Sequence, residues 1–322
     1  MERESVVLVT GGAGFIGSHI VDKLVETSYT VKVIDNLSSG SLDNIRHHLV
    51  KQSIKFIRGD LKNKEDVLRV VEDVDTVFHF AANPEVRLST TNPEVHFNEN
   101  VVATFNLLEA MRLKDVKSII FASSSAVYGE PEKMPVSEEA PIKPLSVYGA
   151  SKAACENLMH AYSKLYGFNV LILRYANIIG PRLRHGVLYD LLIKLSRNKE
   201  VLEVLGDGTQ VRSYLHVRDA VEATLLAWST LSKGFEVYNV GNTDYVSVRD
   251  IVETLIETLG LKNTTRIIYK PVLHGVGWPG DVKKITLEVS KLLQIGWRPI
   301  MNSREAIIET IKSLVMELEL KI

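Results

Sequence analysis

The sequence predicts an α/β protein with a doubly wound parallel sheet and a second, smaller α/β lobe in its C-terminal part. Short apolar segments alternate with helical patterns through the first half of the chain, and this alternation is typical of a parallel sheet covered by helices. A glycine-rich turn follows the first apolar segment, and the alternation becomes looser after Tyr175. Six strands of this kind favour an open, doubly wound sheet.

Apolar segments rich in β-branched residues predict the six strands. They are Val6–Val9, Val31–Ile34, Ile54–Arg58, Thr76–Phe80, Ser118–Ala122 and Val170–Arg174. Between them, apolar residues recur every three or four positions, which predicts helices. Two of these helical stripes are Val101, Phe105, Leu108 and Met111, and Ala154, Leu158, Ala161 and Leu165.

The second half of the chain predicts shorter elements. Strands are expected at Val201–Leu205, Val211–Leu215, Glu236–Val240 and Arg266–Tyr269, and helices at Tyr189–Ser196, Val217–Thr230, Ser247–Leu259 and Ser303–Leu318. We place a domain boundary near Ala176, which separates residues 1–175 from residues 176–322, although the chain can cross between the lobes more than once. Because no long linker separates them, we expect the second lobe to pack against the first.

Composition excludes several classes of function. The 322 residues carry 38 basic and 39 acidic side chains, so no basic excess attracts nucleic acid. The single cysteine, Cys155, excludes an internal disulfide. Glycines interrupt the apolar N-terminal stretch, which therefore resembles neither a membrane span nor a signal peptide. We expect a cytoplasmic protein without nucleic-acid or membrane partners.

Histidine and cysteine residues show no spacing typical of a metal site, so no metal is expected. His47 and His48 lie in a polar helical pattern and are expected to be solvated. His79 and His216 are expected to pack at strand ends. Cys155 is expected to be a small core residue.

The turn Thr10–Gly17 contains glycines at positions 11, 12, 14 and 17 between a predicted strand and a predicted helix. Gly11 allows a tight turn, Gly14 allows a pyrophosphate to approach the backbone, and Gly17 lets the helix lie close to the strand. Free N–H groups and the positive end of the helix dipole then face the phosphates. This arrangement predicts a dinucleotide site of the Rossmann type.

Asp35 ends the second predicted strand and is a candidate ligand of the adenosine ribose. A carboxylate there accepts hydrogen bonds from the ribose hydroxyls and repels a 2′-phosphate, which favours NAD over NADP. The alternative is a helix-cap or turn aspartate, since Asn36 and Ser38 follow. Asp60, which follows the third strand, is a weaker candidate for an adenine contact.

Tyr148 and Lys152 are four residues apart, so they share one face of the predicted helix. A nearby ammonium and an oxidised nicotinamide both lower a tyrosine pKa from its usual value near 10, which prepares the phenol to act as a base on a sugar hydroxyl. Ser124 follows the fifth strand, where an open sheet forms its ligand crevice. The alternatives are a solvated helix face for the Tyr–Lys pair and turn chemistry for the serines.

Motifs along nearly the whole chain resemble the extended short-chain dehydrogenase/reductase family, and within it the NAD-dependent UDP-sugar 4-epimerases. They are TGGAGFIG (10–17), DNLSSG (35–40), GDL (59–61), HFAA (79–82), FASSSAVYG (121–129), YGASK (148–152), LRYANIIGP (173–181), GDGTQVRSYLHVRD (206–219) and PGDV (279–282). The resemblance implies tightly bound NAD and interconversion of UDP-galactose and UDP-glucose through a 4-keto sugar. In this scheme Tyr148 takes the proton of the 4-hydroxyl, Lys152 lowers the Tyr148 pKa, and Ser124 hydrogen-bonds the 4-oxygen.

The resemblance also implies the remaining ligand contacts. NAD would be contacted by Gly11, Gly14, Phe15, Ile16, Gly17, Asp35, Asn36, Ser38, Ser39, Gly40, Asp60, Leu61, Phe80, Ala81, Ala82, Asn100, Tyr148, Lys152 and Tyr175. The UDP-sugar would be contacted by Ser124, Asn177, Val187, Val204, Arg212 and Asp281. The two helical stripes given above would form a homodimer interface; their burial in the core is the alternative.

Some positions depart from the family pattern. Pro84 stands where many epimerases have lysine, which Arg87 could replace; residues 275–278 lack the usual arginine; and Ser213 replaces an aspartate that would hold Arg212. Ser125 and Ala126 stand where related dehydratases and decarboxylases carry acids, so those reactions are disfavoured. The intermediate size of Ile285 leaves open a 4-epimerase of UDP-N-acetylhexosamine or UDP-uronate. A non-catalytic NAD-binding regulator is the alternative from another class.

Overall fold

The computed structural model describes residues 5–27, 29–271 and 280–322. Its contacts group the chain into two compact units. The first comprises Met1–Val127, Val147–Arg174 and Thr224–Tyr238, and the second comprises Tyr128–Ser146, Tyr175–Ala223 and Asn239–Ile322. The chain passes between the two units several times. The single domain boundary near Ala176 therefore remains a prediction.

The strands follow one another along the chain as short segments. They are β1 (Val6–Thr10), β2 (Thr30–Asp35), β3 (Lys55–Arg58), β4 (Thr76–His79), β5 (Ser118–Ser124), β6 (Asn169–Tyr175), β7 (Asn177–Ile179), β8 (Val201–Leu205), β9 (Val211–Arg212), β10 (Tyr214–His216), β11 (Phe235–Val240), β12 (Val246–Ser247), β13 (Arg266–Lys270) and β14 (Lys284–Ile285). All six strands predicted for the main sheet are present.

The α-helices are α1 (Phe15–Val25), α2 (Arg46–Lys51), α3 (Lys64–Val70), α4 (Glu94–His96), α5 (Ala103–Leu113), α6 (Val147–Tyr166), α7 (Val187–Arg197), α8 (Val217–Thr230), α9 (Val248–Thr258), α10 (Ser290–Gln294) and α11 (Ser303–Glu317). The 3₁₀ turns are Leu42–Ile45, Val86–Thr90 and Ser125–Val127, and a π-helical turn spans Phe97–Val102. Within the described ranges, no helix has the length and apolar character that crossing a membrane requires.

Seven strands form the main sheet in the order β11-β6-β5-β4-β1-β2-β3. Strand β1, which lies next to the central strand β4, runs parallel to β2 and β4, and the pairs β2–β3 and β4–β5 are also parallel. The predicted doubly wound sheet is therefore confirmed. Its seventh strand, β11, lies beside β6 although the sequence places it in the second lobe, because local sequence does not encode which sheet a strand joins.

The register of these strands places the loops of the candidate site along one edge. Thr10 at the end of β1 is level with Ile34 in β2 and with His79 in β4, and His79 is level with Phe121 in β5. The glycine turn, the loop after Asp35 and the end of β5 therefore leave the sheet at the same side. This is the side at which open parallel sheets bind their ligands.

A continuous apolar core supports this edge. Strand residues such as Leu8, Val77 and Ile119 are completely buried, and Met111 from α5 and Met159 from α6 pack in the same cluster. Cys155 also belongs to it as a free buried thiol, as expected. Because apolar burial contributes about 25 cal/mol per Å², this core holds the strand ends in fixed positions.

The second unit contains three small sheets. They are β10–β7, β12–β9–β14 and β13–β8. The prediction of one strand over Val211–Leu215 is wrong, since β9 ends at Arg212 and β10 begins at Tyr214. The two halves pair with different partners, and Ser213 is the residue between them.

Capping boxes begin two helices of the second unit. The Ser247 side chain accepts from the Asp250 N–H at the start of α9, and Asn302 accepts from the Glu305 N–H at the start of α11. In both cases the acidic side chain also accepts from the backbone N–H of the capping residue, so two N–H groups are satisfied. These local signals explain why both helices begin where the sequence predicts.

Candidate active site

The backbone around the turn between β1 and α1 leaves no room for a side chain at two of its glycines, Gly11 and Gly17. Gly11 has φ +67°, and a Cβ atom there would lie 2.6 Å from the Ala81 nitrogen. A Cβ atom on Gly17 would lie 2.2 Å from the Gly11 carbonyl oxygen. Glycine is therefore required at both positions, by backbone conformation at Gly11 and by close packing at both.

The N-terminus of α1 is open toward a ligand. Gly14 is the N-cap; among the described residues no side chain caps the helix there, and the first turn of α1 carries no acidic residue. The first N–H groups of a helix have no partner within it, and the helix dipole is positive at this end. The bare glycine turn and these N–H groups together fit the pyrophosphate of NAD.

Asp35 lies buried beside this turn and holds the loop that follows it. Its Oδ2 accepts from the Ala13 N–H (3.0 Å), and its Oδ1 accepts from the Leu37 N–H (2.8 Å). Burial raises the pKa of this carboxyl, while the two N–H groups lower it. The turn role considered above is therefore present. A carboxylate has about four acceptor sites, so it retains capacity for ribose hydroxyls.

Asn36 and Asp60 join the ends of β2 and β3 at the same edge. The Asn36 amide donates to the Asp60 carboxylate at 3.2 Å. The remaining predicted NAD residues of this unit lie on the turn, on the loops after β2, β3 and β4, or at the start of α1; they are Phe15, Ile16, Ser38, Ser39, Gly40, Leu61, Phe80, Ala81 and Ala82.

Asn100 is buried within the π-helical turn and links two parts of the site. Its Oδ1 accepts from the Asn83 N–H (2.9 Å), and its Nδ2 donates to the Ser151 hydroxyl (2.8 Å). Ser151 donates in turn to the Tyr148 carbonyl. Asn100 therefore ties the loop after β4 to the start of α6, whatever contact it makes with NAD.

The three predicted catalytic residues come together at the end of β5 and the start of α6. Ser124 is the last residue of β5, and its side chain is hydrogen-bonded to that of Tyr148. The Lys152 ammonium donates to the Ala122 carbonyl (2.7 Å) and lies 6.0 Å from the centroid of the Tyr148 ring. The helical spacing of four and the sheet edge thus place a phenol, a hydroxyl and an amine in one group.

Burial shifts the pKa values of Tyr148 and Lys152 in this group. Burial raises the pKa of Tyr148 to about 12, although the Ser124 hydrogen bond lowers it. Burial lowers the pKa of Lys152 to about 8, against opposing contributions from Cys155 and Glu156. In the protein alone, desolvation therefore outweighs the Ser124 hydrogen bond, and the lowering of the Tyr148 pKa by Lys152 together with NAD stays a prediction. The ammonium binds the Ala122 carbonyl instead of the phenol, so desolvation dominates.

An ultraviolet difference titration checks this point. In NAD-free protein, the difference between wild type and Tyr148→Phe should show no ionising phenol near pH 10.0 and a transition near 12. Oxidised NAD adds a positive charge that favours phenolate, so the transition should then move to lower pH. A phenol that ionises below pH 10.0 without NAD would contradict the assigned geometry.

Two buried histidines, His79 and His96, lie near the predicted catalytic residues. His79 lies between Thr10 (Nδ1 to Oγ1, 2.7 Å) and Thr104 (Nε2 to Oγ1, 2.9 Å). Burial lowers its pKa to about 3, with Lys152 acting in the same direction; its ring is therefore neutral and holds the end of β1 against α5. His79 and His216 are both buried at strand ends, as expected.

His96 is the second of these histidines. It is fully buried, its ring centroid lies 5.6 Å from that of Tyr148, and neither ring nitrogen has a hydrogen-bond partner within the described residues. It packs edge-on against the ring of Tyr148. No sequence motif marks it, because the short helix that carries it has no distinguishing pattern.

A buried ion pair fixes the strands on which Ser124 depends. Arg174 on β6 donates to Glu156 on α6 through Nη2 (2.7 Å) and Nε (3.1 Å), and Ser123 also donates to this carboxylate. The side chains of the pair are only 6% and 4% exposed. The pair therefore joins α6, which carries Tyr148, to the ends of β5 and β6.

Glu156→Ala is expected to lower the free energy of unfolding by about 3–5 kcal/mol, because it leaves a buried arginine charge without its partner. Chemical denaturation measures the change. The matched control is Glu26→Ala, which breaks the exposed Lys23–Glu26 pair and should alter stability by less than about 1 kcal/mol. Equal effects of the two variants would show that the buried pair has no special structural role.

The predicted nucleotide residues lie in the second unit. Arg212 donates to Asp281 (2.8 Å) and to the Lys283 carbonyl (3.1 Å), and Asn177 donates to the Ser213 carbonyl (3.1 Å). The concern that Ser213 leaves Arg212 loosely held is thus resolved, because Asp281 supplies the carboxylate.

The other predicted substrate positions lie on several elements of the second unit. Ile285 is the register partner of Arg212 in the β9–β14 ladder and is buried. Val187 begins α7, and Val204 is buried on β8. Tyr175, predicted to contact NAD, is buried at the end of β6. The uncharged segment 275–278 lies outside the described residues.

Arg87, considered above as a substitute for the missing lysine at position 84, already has a partner. Its Nε (2.9 Å) and Nη2 (3.2 Å) donate to the two oxygens of Glu85. The side chain is 44% exposed. The ion pair neutralises the charge that this replacement would need.

Comparisons with known proteins identify similar sequences along most of the chain. The model of the NAD dependent epimerase/dehydratase family matches residues 7–241. A putative UDP-glucose 4-epimerase from Methanocaldococcus jannaschii is 39% identical, over 94% of this chain and 96% of its own length.

Solved structures show the same similarity. A crystal structure of a UDP-galactose 4-epimerase is 51% identical with a TM-score of 0.86, over 97% of this chain and 99% of that one. The UDP-glucose 4-epimerase of Thermotoga maritima, solved with UDP-glucose, is 34% identical with a TM-score of 0.87, over 97% and 99% of the two chains. The family model covers well over half of the sequence, and the chain belongs to the NAD dependent epimerase/dehydratase family.

Proposed function

We propose that this protein is a UDP-glucose 4-epimerase, an isomerase that interconverts UDP-galactose and UDP-glucose with bound NAD. The observation that carries the proposal is the group of Ser124, Tyr148 and Lys152 on the sheet edge that also carries the bare glycine turn. The residues after Ser124 are Ser125 and Ala126. Neither supplies the acid that elimination or decarboxylation would require at this place.

Each of the three side chains has a defined task in this reaction. NAD, when bound, would supply the hydride-accepting and hydride-donating chemistry at C4 of the sugar. Tyr148 accepts the proton of the 4-hydroxyl and gives it back after the sugar has turned. Ser124 hydrogen-bonds both the phenol and the sugar oxygen. Lys152 keeps a positive charge beneath the phenol, which favours its ionised form once NAD adds a second charge.

The second unit supplies the residues for the UDP part. Arg212 presents a guanidinium, whose planar fork suits diphosphate oxygens, and Asp281 fixes its orientation at 2.8 Å. Asn177, Val187 and Val204 complete the proposed set together with Ser124. Such an anchor leaves the hexose free to turn while the nucleotide stays bound.

Arg212→Lys is expected to raise KM for UDP-galactose about tenfold or more and to change kcat much less, because lysine keeps the charge but loses the paired donors. Steady-state kinetics measures both constants. Arg249→Lys is the control, since Arg249 stacks over Tyr269 and donates to the Asp207 carbonyl outside the proposed set. If Arg212→Lys lowered kcat alone, the residue would not be a binding anchor.

The function is tested by incubating the purified protein with UDP-galactose and no added NAD. UDP-glucose should form, because tightly bound NAD is expected to copurify with the protein. The matched substrates UDP-N-acetylgalactosamine and UDP-galacturonate are assayed in parallel, since kcat/KM measures discrimination. If kcat/KM is higher for either of these two substrates than for UDP-galactose, that sugar class would become the proposed substrate. No turnover of any of the three substrates would reject epimerase function.

We further propose a cytoplasmic homodimer. Of the two predicted stripes, Leu108 and Met111 are completely buried in the core, as in the alternative considered above. Phe105 is 43% exposed and Leu165 on α6 is 72% exposed, and Phe97, outside the predicted stripe, is 57% exposed. Exposed apolar side chains of this kind favour association. Light scattering should give twice the 36.0 kDa monomer mass, and Phe105→Glu should reduce it; a monomeric wild type would reject the dimer.

A further inference from the structure

Two imidazoles and a carboxylate meet between α1 and α2, away from the catalytic group. Asp22 lies on α1, and His47 and His48 lie on α2. Their candidate ligand atoms all lie within 4.8 Å of one another. We propose that these three side chains bind a divalent transition-metal ion, with Zn²⁺ as the best match to the donor set.

The distances need little adjustment to accept an ion. Nε2 of His48 lies 2.8 Å and Nε2 of His47 lies 3.1 Å from the same oxygen of Asp22. Zinc binds imidazole nitrogen and carboxylate oxygen at about 2.0–2.2 Å, so two ligands of a tetrahedral ion are separated by about 3.3–3.5 Å. If these two nitrogen-to-oxygen distances increase by a few tenths of an ångström, a metal ion can bind in place of both hydrogen bonds.

The surroundings of His48 resemble those of a metal ligand. The expectation that this residue is solvated is wrong, since it is only 6% exposed. Its second nitrogen, Nδ1, lies 3.0 Å from the Ser53 hydroxyl. A ligating histidine almost always engages its other nitrogen in this way, which fixes the ring and leaves Nε2 for the metal. A buried imidazole also needs such partners to offset its loss of water.

The opposite side of the cluster gives an ion access. The side chain of His47 is 45% exposed and that of Asp22 is 27% exposed, so water can complete the coordination as a fourth ligand. His19 lies behind the carboxylate, with Nδ1 3.9 Å from the second Asp22 oxygen. This places a further imidazole where it can support the ligating carboxylate.

A bound ion would fasten α1 to α2. The chain between Asp22 and His47 contains β2 and Asp35, so the metal would close a loop that carries the predicted ribose ligand. A ligand that binds only the folded state stabilises it by mass action. Because metal ligands must be deprotonated, zinc affinity should fall as pH decreases.

The test is calorimetric titration of tag-free, chelator-treated full-length protein with ZnCl₂. One equivalent should bind with micromolar affinity, and a hundredfold excess over Kd should raise Tm by about 5 °C. His47→Ala and Asp22→Asn should each weaken binding at least about tenfold. Both are partly exposed positions, so folding should persist. His160→Ala removes an exposed histidine on α6 and should bind like wild type.

Three outcomes would overturn the proposal. They are no saturable zinc binding by wild type, unchanged binding in both His47→Ala and Asp22→Asn, or an equal loss in the His160→Ala control. A Tm that depends on these residues and on pH but not on zinc would assign the cluster to a proton-sensitive ion pair instead. Activity is not needed as a readout, so this test is independent of the proposed epimerase reaction.

Discussion

Replacing Tyr148 with phenylalanine should lower kcat by about 10³-fold while the protein keeps its NAD. Proton transfer by a positioned side chain contributes about 10²–10⁴-fold, and Tyr148 is the group that Ser124 hydrogen-bonds at the end of β5. Phenylalanine preserves the ring that packs against His96 and removes only the hydroxyl. Initial rates with UDP-galactose measure the loss, and absorbance of the denatured extract measures retained NAD.

The matched control is Tyr166→Phe, which removes another tyrosine hydroxyl from the same helix, α6. It should leave turnover within about twofold, because surface substitutions have small effects. Two results would count against the assignment. Turnover of Tyr148→Phe within tenfold of wild type would remove the phenol from the reaction, and simultaneous loss of NAD would show that the residue mainly holds the cofactor.

Gly17→Ala should abolish NAD retention and lower stability. The new Cβ atom would lie 2.2 Å from the Gly11 carbonyl oxygen and 3.1 Å from Gly12 Cα, so the turn must move away from α1. Overpacking of this kind costs typically about 1–3 kcal/mol, and the movement also displaces the N–H groups that face the pyrophosphate. NAD content of the purified protein should fall below about a tenth, because lost phosphate contacts reduce affinity strongly.

Gly167→Ala is the control that distinguishes this steric clash from the general effect of replacing a glycine. Gly167 has φ +70°, and a Cβ atom added there would have no neighbouring atom within 4 Å, so alanine adds backbone strain of about 1 kcal/mol without a clash. It should be slightly less stable and retain full NAD. If Gly17→Ala kept NAD as well as Gly167→Ala, the turn would not be the phosphate cradle.

Local spacing was sufficient to predict the parts of the site that depend on neighbouring residues. The glycine turn follows a strand and opens a helix, and both features are fixed within a few residues of Gly11 and Gly17. The face shared by Tyr148 and Lys152 follows from helical periodicity alone. Ser124 could be placed because the carboxyl ends of parallel strands share one edge. The fold class followed from the same alternation of strands and helices.

Long-range packing determined the features that the sequence did not reveal. The raised pKa of Tyr148 in the protein alone depends on its burial, which is not visible from a spacing of four. Asp281 reaches Arg212 across 69 positions. The burial of His48 depends on contacts from α1 and from Ser53. Tertiary contacts of this kind override local patterns, so spacing alone misjudged them.

The most direct test of the central claim follows the hydrogen at C4 of the sugar. In the proposed reaction Tyr148 would handle only the hydroxyl proton, and bound NAD would supply hydride chemistry that keeps the carbon-bound hydrogen from exchanging with water. UDP-galactose labelled with deuterium at C4 should therefore yield UDP-glucose that keeps the deuterium at C4 in ordinary water, as measured by mass spectrometry and NMR. Replacement of that deuterium by solvent hydrogen would contradict the account, because it would require a different chemistry at C4.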